Sequence, residues 1–380
     1  MKHDWKYIKL GDIISPAKVV RNGANKKFPV LSITMRDGIV FQSSRFKKSI
    51  ASVDTSDYKV VYNGQLVIAF PIDEGLIYTQ DIVDAGIMSP AYNVWNVDFL
   101  EIDRKFLVLY LHCPFSMAYY KSKLRGTTMR RRSMPKEDLL NMPLPVPSFS
   151  VQQSIISELD KINELIRLKR EQLKDYDNLA QSIFYEMFGD PVVNEKGWIV
   201  KTIGDVCSLK SGDSKANKSP KGTLPYVKVG DMNLPGNENY ITCSSTYVDR
   251  DYNKRGIFPI GSILFPKRGG AILTNKKRMA AVEICCDLNT MGVIPSEVLN
   301  KHYLFQWFKI LDLGTICSGS TILQLNNCDI APLLIQIPPL TLQQTFAKRI
   351  ELIEQQKDEI KSTIADLETL LASRMQYWFD

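Results

Sequence analysis

Apolar residues recur at alternating steps of four and three in two stretches of the chain. The first stripe runs Ile155, Leu159, Ile162, Ile166, Lys169, Leu173, Tyr176, Ala180 and Ile183. The same spacing 191 positions later gives Phe346, Ile350, Ile353, Lys357, Ile360, Ile364, Leu367, Leu371 and Arg374. This is a heptad a/d pattern, held for about five heptads. It predicts two helices of about 38 residues, each roughly 57 Å long at 1.5 Å per residue. The two lysines within the stripes would help fix register, at some cost in stability.

The helix ends are written into the sequence as well. Ser150-x-x-Gln153 and Thr341-x-x-Gln344 read as capping boxes, with Pro147 and Pro338–Pro339 just upstream. The first helix should stop at "FGDP", where Gly189 can take the left-handed C′ position and Pro191 forbids continuation. The second runs to "YWFD", with Phe379 standing where Phe188 stands in the first.

The echo extends beyond the helices. "WKYIKLGDI" from Trp5 answers "WIVKTIGDV" from Trp198, and "NGQLVIAF" from Asn63 resembles "IGSILFPK" from Ile260. "GTT" at Gly126 answers "GST" at Gly319, and Asp138 in "DLLNMPLPVP" matches Asp329 in "DIAPLLIQIPP". A period of half the chain means a duplicated module and not a solenoid. Between the helices, short Val/Ile/Leu/Tyr/Phe runs are broken by Gly, Pro, Asn and Asp, the mark of a strand-rich body. The expected fold is therefore α/β of the mixed α+β kind. Its expected parts are a first domain over 1–149, a central helix over 150–189, a second domain over 190–340 and a C-terminal helix over 341–380. The helices can pair antiparallel within one chain, giving a pseudo-two-fold internal repeat. They can also pair between two molecules; their equal lengths favour the intrachain coiled coil.

Composition changes this picture little. A chain of 380 residues is long for a single core, and 44% hydrophobic with 23% charged residues is ordinary for a soluble globular protein. No run approaches a membrane span and "MKHDWKYIKL" lacks an apolar signal region, so a cytoplasmic protein with no membrane partner is expected. The seven cysteines form no C-x-x-C, and the adjacent Cys285–Cys286 suit neither an ordinary bridge nor a zinc knuckle. They read as small buried side chains in a reducing compartment.

Charge adds a candidate partner. The net charge is +7, moderately basic and compatible with nucleic acid. In the first domain, Lys121, Lys123, Arg125, Arg130, Arg131, Arg132 and Lys136 fall in one stretch. In the second, Lys267, Arg268, Lys276, Lys277 and Arg278 surround a Gly-Gly, and Lys210, Lys215, Lys218 and Lys221 lie in a polar loop. Each cluster alone reads as solvated surface about as readily as a binding site, and the arginine run at 130 suits a protein partner equally. Two domains carrying such clusters on a fixed spacer suit double-stranded DNA, whose half-sites lie at set distances. Two related but unequal heads should read two different short sequences, arginine at base edges and lysine or backbone amides at phosphates.

The whole plan resembles the specificity subunit of type I restriction–modification systems. The carrying details are Gly-Ser/Thr-Thr before a Pro-rich lead-in, the Gln-Gln helix start and "SIFYEMFGDP" closing the central helix. The chain has Gln152-Gln153 and Gln343-Gln344 where family members often have Glu-Gln, and a capping box tolerates either. The resemblance implies two target-recognition domains, each reading one part of a split, asymmetric DNA sequence. It implies an antiparallel helix pair that acts as spacer and docks two methyltransferase subunits, with restriction–translocase subunits joining the complex. S-adenosylmethionine, ATP and magnesium would belong to those partners; this chain would hold no cofactor and no metal.

No catalytic constellation stands out. There is no G-x-x-x-x-G-K-[ST] loop and no H-E-x-x-H, and the three histidines (His3, His112, His302) are scattered. Glu101, Asp103 and Lys105 in "EIDRK" form a triplet common by chance at strand ends. The expected function is a non-catalytic DNA reader. The alternatives are a coiled-coil scaffold unconnected with DNA, and an enzyme with a degenerate site.

Overall fold

In a computed structural model, both heptad stripes lie on helices of 40 residues, a central one over Phe149–Phe188 and a C-terminal one over Leu340–Phe379. The structure describes residues 5–23, 28–35, 37–45, 54–125, 133–213, 222–250, 256–319 and 322–379. It divides into two compact units, Met1–Arg170 with Ser362–Asp380, and Glu171–Lys361. Each unit therefore holds one strand-rich body, part of the central helix and part of the C-terminal helix. The fold is mixed α/β.

In the first unit, four strands form an antiparallel sheet in the order Ile14–Pro16, Asn93–Val97, Leu66–Ile68, Ile77–Thr79. Two hairpin-like pairs, Leu31–Thr34 with Gly38–Phe41 and Lys59–Tyr62 with Ala85–Met88, accompany it. In the second unit the sheet order is Cys207–Ser211, Thr290–Pro295, Ile263–Pro266, Arg278–Ala280, with Tyr240–Ile241 added in parallel at the edge. A second sheet runs Tyr247–Val248, Leu224–Val227, Ile284–Cys286, Ile257–Phe258. Residues 63–70 and 260–267, matched in the sequence, supply corresponding strands of the two main sheets.

A short ribbon closes each body beside the helix start. Lys6–Lys9 pairs with Pro143–Val146, and Ile199–Thr202 pairs with Leu334–Ile337, both antiparallel. The Gly-Asp pairs that follow the first strands now have a cause. A Cβ on Gly11 would lie 2.9 Å from the carbonyl oxygen of Leu140, and one on Gly204 would lie 3.2 Å from the Cβ of Ala331. The aspartates fold back on the turn, Asp12 accepting from the Lys9 amide at 2.8 Å and Asp205 from the Thr202 amide at 3.2 Å.

Each body also carries one apolar helix that meets the long ones. Arg104–Leu111 is capped by Asp103, and Lys301–Ile310 is capped by Asn300. In the first unit Phe379 closes the C-terminal helix with its ring 5.6 Å from Phe106 and 5.7 Å from Tyr110. In the second unit Phe188 closes the central helix 4.7 Å from Tyr303 and 5.3 Å from Phe346. Aromatic burial at each helix end joins helix and body into one core.

The stripe is buried at Ile155, Leu159, Ile162, Ile166, Phe346, Ile350, Ile353 and Ile360. Leu173, Ile364, Leu367 and Leu371 are half-buried. Late in the central helix the buried line shifts from the expected Ile183 to Phe184 and Phe188. That one-residue drift is what a 3.6-residue turn does to a strict 3.5-residue repeat. Gly189 takes φ +79° and its amide bonds to the Tyr185 carbonyl at 2.8 Å, ending the helix where expected.

The helix starts differ from the capping-box reading. The central helix begins one residue earlier, and the amides of Val151 and Gln152 bond to the Ser148 carbonyl at 2.9 and 3.0 Å. Gln153 reaches Asp103 instead, at 2.9 Å. Gln152 is fully buried: it donates to the carbonyls of Glu101 (2.9 Å) and Pro147 (2.8 Å) and accepts from the Asp103 amide (2.7 Å). Gln343 repeats this with Val298 (3.1 Å), Pro338 (2.8 Å) and the Asn300 amide (2.8 Å). The first glutamine of each pair is a rivet from long helix to body.

Candidate nucleic-acid interface

In the second unit the strand Ile263–Pro266 delivers Lys267 and Arg268 to a loop edge. Gly269 donates its amide to the Leu323 carbonyl (2.8 Å), and Leu325 donates to that of Lys267 (2.9 Å), drawing the segment with Leu323 and Leu325 alongside. That segment is itself closed by a two-way bridge between Ser318 and Gln324, at 2.9 and 2.8 Å. Gly319, of the "GST" echo, sits inside it at φ +97°, where a Cβ would meet the Ile322 carbonyl oxygen at 2.4 Å. Arg268 is exposed, and its guanidinium has no partner among the described residues.

Its neighbours are less free. Lys267 is buried and donates to Ser211 Oγ at 2.9 Å; burial, then the Arg268 charge, lower its pKa. Lys210 donates to the Ile257 carbonyl (2.9 Å) and lies over the Phe258 ring at 5.2 Å. Lys276 is tied to Asn233. Lys277 is 4% exposed, bonded to Asn275 Oδ1 (2.7 Å) and to the Leu311 carbonyl, and burial lowers its pKa to about 8. Arg278 donates to the carbonyls of Met232 (3.2 and 3.3 Å) and Lys277 (2.9 Å). Lys277 and Arg278, read in the sequence as ligand-facing, are therefore engaged within the chain: their donors end on Asn275 and on backbone carbonyls. Lys215, Lys218 and Lys221 lie outside the described residues.

The first unit closes a corresponding loop. Arg125 and Ser133 bridge in both directions at 3.1 Å, bringing together the two ends of the segment 126–132. Arg130, Arg131 and Arg132 belong to that segment and lie outside the described residues. Lys121 is exposed. Lys123 and Arg125 face Asp138 at 3.5 and 3.4 Å, and Lys123 also lies 5.7 Å over the Tyr119 ring. Lys136 stands 5.5 Å over Trp95. Asp138 thus tempers part of the basic stretch, a pairing that the run of basic letters conceals. Where the second unit presents Lys267-Arg268, the matched strand of the first presents Phe70-Pro71, followed by Asp73 and Glu74.

The described residues hold no cluster of three or more His, Cys, Asp or Glu side chains suited to a metal ion, and none of their helices is long and apolar enough to cross a membrane. Burial pushes the Cys207 thiol up to about 12 and the Cys285 thiol up to about 11, which keeps both protonated and unreactive. The arrangement offers exposed charge at Arg268 and Lys121 beside two bridged segments.

Residues 195–369 match the family model "Type I restriction modification DNA specificity domain". The chain is similar to proteins named as type I restriction enzyme specificity subunits. It is 26% identical over 257 residues to the type I restriction enzyme MjaIX specificity subunit of Methanocaldococcus jannaschii; the match takes in 60% of this chain and 55% of that protein. The chain thus spans little more than half the length of that relative. Among solved structures, one on complex assembly and conformational transition of the type I R-M system shares the fold with a TM-score of 0.61 at 19% identity. That likeness covers 99% of this chain and 97% of the other. A type I restriction–modification S subunit from M. genitalium aligns with a TM-score of 0.50 at 13% identity, over 100% and 97% of the two chains.

Proposed function

We propose that this chain is the non-catalytic reader of a type I restriction–modification complex, binding a bipartite, asymmetric sequence in double-stranded DNA. The observation that carries this is the repeated bridge: Arg125–Ser133 in one unit and Ser318–Gln324 in the other each close a loop beside or bearing basic residues. Loops carried on a rigid scaffold are where DNA contacts are commonly built. Residues 1–149 and 190–340 would be the two target-recognition domains. Arg268, Lys121, Arg130, Arg131, Arg132, Lys215, Lys218 and Lys221 remain its candidate contacts; Lys123, Arg125, Lys210, Lys267 and Lys276 would contribute charge from fixed positions.

The long helices would form the antiparallel coiled coil of a pseudo-two-fold repeat, spacing the half-sites and docking two methyltransferase subunits. Their segments already run in opposite directions within the first unit, where Glu158 pairs with Arg374 and Arg170 with Glu368. Restriction–translocase subunits would complete the assembly, with S-adenosylmethionine, ATP and magnesium held by partners, in the cytoplasm. The test is a genome-wide map of methylated adenines with and without the gene. Loss of one split motif on deletion supports the reading; an unchanged map sinks it. A scaffold unconnected with DNA would also show no fall in duplex affinity with rising salt, whereas a reader that neutralises several phosphates loses it steeply.

A further inference from the structure

The loop from Lys228 to Thr246 in the second unit is organised around buried polar side chains. Asp231 is 4% exposed, and its carboxylate accepts from the amides of Lys228 (2.8 Å) and Ser245 (3.1 Å). Asn237 is fully buried; its Nδ2 donates to the carbonyls of Asp231 (2.9 Å) and Cys243 (3.0 Å), and its Oδ1 accepts from the Thr242 amide (3.0 Å). Ser244 is buried too and donates to the Tyr226 carbonyl at 2.6 Å. A buried network with its partners in place rigidifies the backbone around it.

That backbone carries one exposed amide to the basic residues of the sheet end. The Arg278 guanidinium holds the Met232 carbonyl, and the next residue, Asn233, is exposed and accepts on Oδ1 from the Lys276 ammonium. Strands Ile263–Pro266 and Arg278–Ala280 pair antiparallel, so Arg268 and Lys276, on either side of the turn Gly269–Thr274, leave the sheet at one end. The lysine contact also decides how the amide is turned. An ammonium only donates, so the Asn233 oxygen faces Lys276 and Nδ2 faces away, with no partner among the described residues. What the pair presents is N–H groups beside a positive charge, its amide acceptor already taken up by a cation.

This polarity discriminates between bases. In the major groove an asparagine reads adenine by donating to N7 and accepting from the N6 amino group. With an ammonium at Oδ1, that amino group would meet a second donor. Guanine instead presents two acceptors side by side, O6 and N7. We propose that Asn233 is a specificity determinant of the second unit that reads a guanine, with Lys276 as the positioning residue that sets its amide. The inference rests on the DNA reading above and names one letter of one half-site. A phosphate contact would need no amide held in one orientation.

The map of methylated adenines is repeated with Asn233→Ala and, separately, Lys276→Met in place of the unaltered gene. Asn233→Ala should keep the split motif but accept any base where the unaltered protein demands one guanine. Lys276→Met frees Oδ1, so the same position should accept guanine or adenine and still exclude pyrimidines. In duplex titrations of the full chain, a preference of about tenfold for guanine at that position should all but vanish in Asn233→Ala. An unchanged motif, relaxation at a base other than guanine, or a loss shared by all sequences, as a phosphate contact gives, overturns the inference and leaves the DNA reading in place. Absence of any motif in the unaltered map removes that reading, and this inference with it. If a variant loses methylation altogether, the unaltered chain decides, with 7-deazaguanine, which lacks the N7 acceptor, placed at each guanine of the motif in turn. A severalfold loss at a guanine that Arg268→Ala does not relax supports the contact; the lack of any such guanine refutes it.

Discussion

The two units solve one folding problem with different loops. Both close a ribbon beside a buried glutamine, and both seat a terminal phenylalanine against the apolar helix of the body. Gln152 and Gln343 make the same three kinds of bond. The second unit then places Lys267-Arg268-Gly269-Gly270 where the first places Phe70-Pro71-Ile72-Asp73, and it buries Lys357 where the first buries Ile166. Sameness is concentrated where long helix meets body at the glutamines and phenylalanines, while the differences fall at the strand end and at one buried position of the helix stripe.

The strongest break in the comparison is at the rivets. Gln343→Leu leaves the Asn300 amide and two carbonyls without their partner, and should cost about 3 kcal/mol in the unfolding of the second unit. Gln152→Leu should cost the first unit about the same. Denaturant unfolding read by probes placed in each unit checks both; a cost confined to one unit would contradict the equivalence.

Next comes the buried lysine peculiar to the second unit. Lys357→Ala should cost about 2 kcal/mol through lost packing and two carboxylates left without their cation. Lys357→Met, closer to the isoleucine of the first unit, should change stability by no more than ~1 kcal/mol. Equal losses for the two substitutions would mean that the ion pair, and not the volume, dominates.

Lys277 gives the second unit a pH signature. Its folded pKa lies below the ordinary 10.5, at about 8, because burial disfavours its charge. Between those two values the unfolded chain binds more protons than the folded one, so this group's contribution to stability rises with pH. The slope is up to ~1.4 kcal/mol per pH unit relative to Lys277→Met. Matching pH profiles for the two proteins would show that the ammonium is not confined as described.

The smallest effect belongs to the first unit. Glu158 holds Arg374 and also accepts from Trp378 Nε1 at 3.1 Å, a cluster half in solvent. Arg374→Ala should lower stability slightly in low salt and less in high salt. The guanidinium hydrogen bond lowers the Glu158 pKa, so this contribution is present above the ordinary carboxylate range and fades as pH falls through the lowered value.

The frame was legible in the sequence because its signals are periodic or paired. Heptads give the helices, and matching tryptophans and Gly-Asp pairs give the repeat. Gly11 and Gly204 show why such a pair recurs: each lies close against a neighbouring turn, where an added Cβ would meet Leu140 at 2.9 Å or Ala331 at 3.2 Å. Sheet order was not legible, since the parallel addition of Tyr240–Ile241 beside Arg278–Ala280 depends on contacts far apart in sequence. Nor was the direction of the basic side chains. Lys276, Lys277 and Arg278 are adjacent letters, yet Lys277 donates to the Leu311 backbone carbonyl and Arg278 to those of Met232 and Lys277. The glutamine pairs had the spacing of a cap, but burial in the body turned the first of each into a bond across elements.

The measurement that bears most directly on two separate reading heads uses Arg268→Ala. Once the methylation map has given the split motif, duplexes altered in one half or the other are titrated with the unaltered and variant proteins at one fixed salt concentration. The account predicts that the variant loses affinity or discrimination for a single half of the motif, while changes in the other half are penalised as before. Equal relaxation at both halves, or none at either, would contradict it.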